Sequence, residues 1–387
     1  MRRIAVIGLG KAGLPIASVI ADSGFNVSGV DIDKRKCDLI NRGMNPIPDE
    51  QGLDGLIAKH GGKNLIAMAE YKDAGDCNFF IVIVPLFIDE NHNPDFAILE
   101  NAFRNVGKIL KKGDCVVLET TIPPLTTETI VKGWLENESG LKFGEFYLAY
   151  SPERIMTGYS ISRLKEFPKV IGGVDKRSGN IAYDVYKEFI PNLHLVSSSK
   201  VAEFIKVIEG CYRDVNIALA NELFKITGEL DIDFYEAREY ANHQYCNIHL
   251  PSTGVGGHCI PFYPWFLIKE MERRAKYDHG NLLRTSREIN DQMMNYWAER
   301  IVLECLRINK ALGDVKICVK GITYREGIKE LINSMNLALV KLLTEKGLNV
   351  YAYDELFIRE EIEEMGLRFI EPGDADLVFD CFELVIK

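Results

Sequence analysis

The sequence predicts an α/β protein in which two Rossmann-like parallel-sheet domains are joined by a central helical (dimerisation) domain. Three observations predict it. A short apolar run, Ile4–Ile7, leads into Gly8-Leu9-Gly10-Lys11-Ala12-Gly13, a helical stretch through Ile20 and a second apolar segment that ends at Asp31. From Ser199 to about Leu230, apolar residues (Ala202, Ile205, Ile208, Tyr212, Val215, Leu219, Leu223) recur at helical spacing. After Gly313 the alternation of strand and helix begins again. The boundaries that follow are 1–196, 197–309 and 310–387.

A chain of 387 residues exceeds one ordinary core, so several domains are expected. Its 47% hydrophobic and 26% charged residues fit a soluble globular protein. A net charge of -10 argues against sequence-independent binding of nucleic acid or an anionic membrane. The nine cysteines stand singly, with no CxxC pair. That pattern fits neither a disulfide framework nor a zinc site, so no metal is expected and the compartment reads as a reducing cytosol. The N-terminus reads as a first strand and not as a signal peptide, and no apolar run reaches the roughly 20 residues that span a bilayer. The expectation is a cytoplasmic enzyme.

Taken in order, Ile4–Ile7 is a buried parallel strand. Of the glycines that follow, Gly8 allows the tight turn, Gly10 lets a pyrophosphate approach and Gly13 lets helix and strand pack closely. Asp31 is placed to accept hydrogen bonds from an adenosine ribose, which favours NAD over NADP, although flavin enzymes share this fingerprint. Phe79–Val84 and Cys115–Glu119 read as central strands with the helical Phe96–Leu110 between them. Their loops, at Pro85 and Thr120–Pro124, lie at the carboxyl ends of strands, where open parallel sheets bind ligands. Phe146–Tyr150 leads to another such loop, Ser151–Arg154, and Val170–Gly173 reads as the last strand of the first domain. Lys206 and Arg213 sit on the long helix, either facing a cleft or on a solvated face. Helices are expected at 234–242 and 281–309, and helices this long often bridge domains or build a dimer interface. The last domain has strands at 315–321, 350–354 and 377–380 and a helix at 335–345. It carries no GxGxxG, so it is expected not to bind NAD.

The stretch Gly254-Val255-Gly256-Gly257-His258-Cys259-Ile260-Pro261 is the expected seat of the chemistry. Its glycines permit positive φ and close approach to a ligand. Pro261 is expected to stop the turn from continuing into a helix. Cys259 is either a nucleophile with little steric cover or a buried inert thiol.

Six ordered segments now carry a resemblance: GLGKAGLP (Gly8–Pro15), LETTIPP (Leu118–Pro124), SPER (Ser151–Arg154), RDVNIALANEL (Arg213–Leu223), GVGGHCIP (Gly254–Pro261) and RTSREIND (Arg284–Asp291). Over nearly its whole length the chain resembles the UDP-glucose/GDP-mannose dehydrogenases, and within them the branch acting on UDP-N-acetylhexosamines, chiefly UDP-N-acetylmannosamine. The resemblance implies NAD-dependent oxidation of a sugar C6 alcohol to a carboxylate, with two NAD per turnover and a cysteine that carries the aldehyde through thiohemiacetal and thioester. By position Cys259 is that nucleophile, and Lys206 is the lysine that stabilises alkoxide and oxyanion. Thr121 and Glu153 match residues that orient the hydrolytic water and the sugar. Glu153, Arg154, Lys206, Arg213, Asn216, Gly254, Gly256, Gly257 and His258 match substrate contacts. Gly8, Gly10, Lys11, Ala12, Gly13, Asp31, Pro85 and Thr121 match the NAD site. A UDP-sugar substrate, a homodimer and a role in surface polysaccharide synthesis belong to the same implication.

The chain also departs from the family. Gly210 stands for an asparagine one turn after the lysine, and loss of one oxyanion donor can cost about 10²–10³ in rate. Tyr263 stands for an aspartate four residues after the cysteine. Gln244-Tyr245 replaces Pro-Arg, Val84-Pro85-Leu86-Phe87 replaces Val-Pro-Thr-Pro, and Ile332-Asn333-Ser334-Met335 replaces Arg-Glu-Ser-Pro. The chain ends some tens of residues before most relatives, which implies a shortened last domain. Three readings stay open: a dehydrogenase whose nucleotide sugar differs from the common ones (UDP-glucose being one candidate), a weakened homologue that still binds NAD or nucleotide sugar, and a Rossmann oxidoreductase of the 6-phosphogluconate or hydroxyacyl type. The GVGGHCIP loop and the third domain disfavour the last.

Overall fold

A computed structural model describes residues 3–48, 50–155, 158–274 and 279–387. It divides into two compact units, Met1–Val207 and Ile208–Lys387.

The strands of unit 1 are β1 (Arg3–Ile7), β2 (Asn26–Val30), β3 (Leu65–Met68), β4 (Phe79–Val82), a short hairpin of β5 (Phe87–Ile88) and β6 (Pro94–Asp95), β7 (Cys115–Leu118), β8 (Tyr147–Tyr150), β9 (Lys169–Gly173) and β10 (Leu193–Leu195). Helices alternate with them: α1 (Gly13–Asp22), α2 (Lys34–Asn41), α3 (Leu53–His60), α4 (Ala97–Ile109), α5 (Lys132–Ser139), α6 (Ser160–Glu166) and α7 (Lys176–Tyr186). The long α8 (Ser199–Glu229) starts in unit 1 and runs on into the residues of unit 2.

One eight-stranded sheet has the order β10-β9-β8-β7-β4-β1-β2-β3. From β3 to β8 all neighbours are parallel, while β9 is antiparallel to β8. The parallel expectation therefore holds for the central strands and not at the β8–β9 step, where an antiparallel neighbour needs no crossover helix. Apolar residues alternate between two cores, one on each face. Ile4 and Val6 pack with Leu14 and Ile20 of α1, whereas Ala5 and Ile7 pack with Leu99 and Phe103 of α4. Cover on both faces explains why these strands read as unbroken apolar runs. Strand order reverses between β1 and β4, and this places the ends of those two strands at the crevice where such sheets bind ligands.

Unit 2 contains the rest of α8, then α9 (Phe234–Ala241), α10 (Tyr263–Arg274), α11 (Asn281–Cys305), β11 (Ile317–Lys320), α12 (Met335–Glu345), β12 (Val350–Tyr353), α13 (Arg359–Glu364), β13 (Leu377–Asp380) and β14 (Val385–Ile386). Its sheet runs β12-β11-β13-β14, parallel except for the last strand. Met293, Trp297 and Ile301 of α11 close its core over Ile317, Val319 and Phe379. The two sheets share one local device. Leu9 N–H donates to the Asp31 carboxylate at 2.9 Å, and Ile322 N–H donates to Asp354 at 2.8 Å, so each acid ties down the loop after the first strand of its sheet.

Two further expectations are corrected. Val170–Gly173 is not the last strand of the first sheet, because β10 pairs with it in parallel at the sheet edge. Pro261 does not keep the cysteine turn from becoming a helix, because Tyr263 N–H bonds the Cys259 carbonyl at 3.2 Å and α10 begins at Tyr263. Proline blocks a helix interior but suits its start, where the missing N–H has no partner to lose. Among the described residues, no helix is long and apolar enough to cross a membrane.

Candidate active site

In unit 1 the three glycines of the fingerprint have three different surroundings. Gly8 has φ +95°, and a Cβ there would lie 2.4 Å from the Ile83 carbonyl oxygen at the end of β4. At Gly13 a Cβ would lie 1.8 Å from the Gly8 carbonyl oxygen, so α1 starts this close to the turn after β1 only because Gly13 lacks a side chain. At Gly10 a Cβ would meet no protein atom within 4 Å. This is the position at which a pyrophosphate can reach backbone N–H groups at the start of α1. Lys11 and Pro85 are exposed, and Ala12 and Thr121 are half-buried. Thr120 donates to the Val84 carbonyl at 2.6 Å and so joins the loops after β4 and β7.

Asp31 is buried, which opposes ionisation, yet its carboxyl is held below the usual range by Lys36 and by the N–H groups of Asp33 and Leu9. Lys36 reaches it at 2.9 Å, a partner the sequence did not single out. Oδ2 receives Leu9 and Lys36, whereas Oδ1 receives Asp33 at 3.0 Å. A carboxylate has about four acceptor positions, so a ribose hydroxyl fits at Oδ1. Next to it Ile32 is 85% exposed, an apolar surface suited to an adenine ring. The residues present thus fit NAD: an open glycine at a helix start, a charged acceptor and an apolar face.

The loop Ser151–Arg154 after β8 is anchored inward. The Glu153 carboxylate takes N–H bonds from Arg154 (2.6 Å) and Ile155 (2.7 Å) on one oxygen and the Lys169 ammonium (3.2 Å) on the other. Arg154 donates to the Pro168 carbonyl. Behind this loop Glu119 and Lys169 form a buried ion pair at 3.0 Å. Glu203, at the start of α8, accepts the N–H groups of Leu125 (2.6 Å) and Thr127 (2.9 Å) and fixes the turn that follows Thr121. Lys206 is half-buried on the same helix.

Unit 2 holds the cysteine loop. Of the nine cysteines, seven are buried, Cys246 is intermediate and Cys259 is exposed. The loop glycines are required first of all by the protein itself. A Cβ at Gly256 would lie 2.6 Å from the Asn333 carbonyl oxygen, and one at Gly257, where φ is +88°, would lie 2.9 Å from the Tyr324 ring. Asn333 donates to the Gly257 carbonyl at 3.2 Å. The departure at Ile332–Met335 is therefore in contact with the cysteine loop, and Met335 packs on Gly254. His258 is exposed, 3.9 Å from Glu330. Arg213 reaches solvent, but protein crowding first and the neighbouring Arg325 second hold its guanidinium below the ordinary value. Cys259, Tyr263 and Tyr324 also act on it electrostatically, so a thiol, two phenols and two guanidinium groups share one region. Asn216 lies one turn further along α8 and donates to the Tyr212 carbonyl.

Two more departures explain each other. A Cβ on Gly210 would lie 2.2 Å from Cδ2 of Tyr263, so the phenol ring occupies the space of a side chain at 210. Tyr263 is buried and stacks on Phe266. Tyr245 is 86% exposed.

Several supporting residues were not found from sequence. Arg287 of α11 pairs with Asp214 of α8 at 2.6 Å, both fully or nearly buried. Asn290 donates to Asp214, Asn221 donates to Asn290, and Asn221 receives the Ser252 N–H at 2.8 Å. Thr253 is hydrogen-bonded to Asn336. These bonds set where the chain enters the cysteine loop. The signal in the sequence was the polar residues at helical spacing within RDVNIALANEL and RTSREIND.

Comparison with known proteins identifies the family. Residues 2–190 match the NAD binding domain of the UDP-glucose/GDP-mannose dehydrogenase family, and residues 200–292 match its central domain. The UDP-N-acetyl-D-mannosamine dehydrogenase of Pyrococcus horikoshii is 36% identical over 386 residues, covering 97% of this chain and 88% of that one. An NDP-N-acetyl-D-galactosaminuronic acid dehydrogenase of Ralstonia nicotianae is 32% identical, covering 100% of this chain and 90% of that one. The solved UDP-D-ManNAc dehydrogenase of P. horikoshii superimposes with a TM-score of 0.87 at 34% identity, covering 98% of this chain and 88% of that one. The chain belongs to the UDP-glucose/GDP-mannose dehydrogenase family and is an NAD-dependent oxidoreductase.

Proposed function

We propose that the protein oxidises the C6 alcohol of a UDP-N-acetylhexosamine, of the UDP-N-acetylmannosamine type, to the uronic acid. The observation that carries this reading is Cys259: an exposed thiol on a loop braced by Asn333, Tyr324 and Asn336, in a region shared with Arg213 and Arg325. NAD, when bound, accepts a hydride in each of the two oxidations. Lys206 stabilises the alkoxide of the first. The Cys259 sulfur then adds to the aldehyde carbon and its proton goes to the carbonyl oxygen, which gives a thiohemiacetal. Loss of hydride from that carbon, with release of the hydroxyl proton to solvent, leaves a thioester. Water, oriented by Thr121 and Glu153, hydrolyses it to carboxylate and free thiol. Arg213 and Asn216 hold the substrate, together with Arg154, His258 and the Gly254–Gly257 backbone. Residues 1–196 serve as the NAD-binding domain, 197–309 as the central domain and 310–387 as a nucleotide-sugar domain.

With UDP-N-acetylmannosamine supplied, two NADH should form per sugar, and Cys259→Ser should abolish the product. Full activity in that variant would overturn the mechanism. Turnover of UDP-glucose alone would move the substrate, and NAD binding without turnover of any sugar would favour a weakened homologue.

The same reading includes a homodimer. Ile208, Tyr212, Leu219 and Ile226 are all exposed and recur every four or seven residues along α8, and the exposed Leu230 follows just past its end. Such a stripe suits a second copy of the same helix better than water. Sedimentation should show a dimer at micromolar concentration, and a monomer there would refute it.

A further inference from the structure

The register of β9 against β8 has a consequence for Glu153. Tyr150 pairs with Gly172 in antiparallel fashion, so Lys169, at the start of β9, comes alongside the loop that follows β8. Its ammonium has three hydrogens, and three acceptors receive them: Glu119 Oε2 at 3.0 Å, the Pro152 carbonyl at 3.1 Å and Glu153 Oε2 at 3.2 Å. The lysine side chain is 6% exposed, that of Glu119 0% and that of Glu153 12%. Glu119 is braced in turn by the Tyr186 hydroxyl of α7, which donates to its other oxygen. The cavity beside Glu119 and Lys169 is lined by apolar side chains: Ile16 and Val19 of α1, Leu164 of α6, and Phe189 and Ile190 after α7.

We propose that Lys169 and Glu119 are positioning residues for Glu153, with Lys169 fixing the orientation and ionised form of its carboxylate and Glu119 balancing the buried lysine. The inference rests on the reading that Glu153 acts at the reacting sugar. A lysine bonded to one loop carboxylate alone would be free to swing with the loop. Bonded also to Glu119, directly after β7, it ties that loop to the end of a central strand.

The ionisation of the two acids agrees with this division of work. Burial, opposed by Lys169, pushes the Glu119 carboxyl up to about 7. Burial acts on Glu153 as well, but Lys169 and the hydrogen bonds from Glu119, Arg154 and Lys169 outweigh it and hold that carboxyl below its ordinary value. A proton entering the cluster therefore goes to Glu119 and leaves Glu153 an anion. Besides each other, the two acids are acted on by Lys169 from β9 and Tyr186 from α7, and the residues of α1 and α6 that line the cavity beside Glu119 are the apolar ones named.

The test labels the full-length protein with carboxyl-¹³C glutamate and follows the Glu153 resonance by NMR against pH, with Glu153→Gln to assign it. In Lys169→Met the Glu153 titration should move to higher pH, and kcat should fall about 10²-fold with NAD affinity unchanged. Lys169→Arg should restore most of both. Lys169→Gln keeps a hydrogen-bond donor but no charge and should also move the Glu153 titration to higher pH, which serves if Lys169→Met does not fold. An unmoved Glu153 titration in either folded variant overturns the proposal, since a lysine that merely stabilised the fold would alter melting and not this value. The underlying reading fails separately, through a Glu153→Gln variant that keeps full turnover of UDP-N-acetylmannosamine.

Discussion

Arg287→Ala should destabilise the Ile208–Lys387 unit by about 3–5 kcal/mol, the cost of breaking a buried ion pair by removing one partner. Asp214 is 0% exposed, and burial already raises its carboxyl, with Arg287 the largest opposing influence. Without the guanidinium that acid keeps the Asn290 amide and must otherwise be protonated or drag water inward. The damage should spread along a defined path. Asn290 holds Asn221, and Asn221 holds the Ser252 N–H at the entry to the cysteine loop. Cys259 should therefore react faster with a thiol reagent in the variant. Denaturant melting measures the first effect and the reagent's rate the second. A double variant, Arg287→Met with Asp214→Asn, should lose less than the sum of the two singles, because it leaves no buried charge behind, Asp291 being half exposed. A loss below about 1 kcal/mol for Arg287→Ala would show that the pair is not integral to the unit.

The second large effect concerns Gly210. Introducing asparagine there, the residue common in the family, should lower stability by about 1–3 kcal/mol through overpacking and remove most turnover. Helix propensity predicts the opposite, since a mid-helix glycine costs about 1 kcal/mol relative to alanine. Sterics should win, because the new Cβ would sit 2.2 Å from a buried ring that is stacked on Phe266. Tyr263→Asp alone removes that ring and should cost about 3–5 kcal/mol, as for other large-to-small core changes. Made together, the two substitutions should couple favourably: asparagine gains the space that the ring gave up. Thermal melts of the four proteins close the cycle. A folded, fully active Gly210→Asn single variant would show that the ring moves aside freely.

How much of this was legible in the sequence depended on whether a residue acts through its neighbours in the chain or through distant ones. The fingerprint Gly8–Gly13, the strands ending at Asp31 and Pro85 and the long α8 all announce themselves locally, and each lies where its pattern placed it. Cys259 was legible as a candidate from its glycines, but its exposure was not. The start of α10 at Tyr263 was missed because Pro261 was weighed as a breaker and not as a residue suited to a helix start. Nothing in the sequence singles out Lys169, and only the antiparallel register brings it to Glu153. Gly210 and Tyr263 were read as two separate losses, 53 positions apart in the sequence; in space they are a single exchange of volume.

The uneven burial of the nine cysteines makes the chain its own chemical reporter. A bulky maleimide should label Cys259 well before any other thiol, with Cys246 next, because the remaining seven lie beneath side chains. Burial also pushes the thiols of Cys211 and Cys318 up to about 12 and that of Cys305 to about 11, so little thiolate forms there to attack a reagent. The amount of label taken up would then count intact sites in a preparation without any substrate. The same asymmetry makes peroxide a selective poison, directed at one sulfur while the fold around it stays whole.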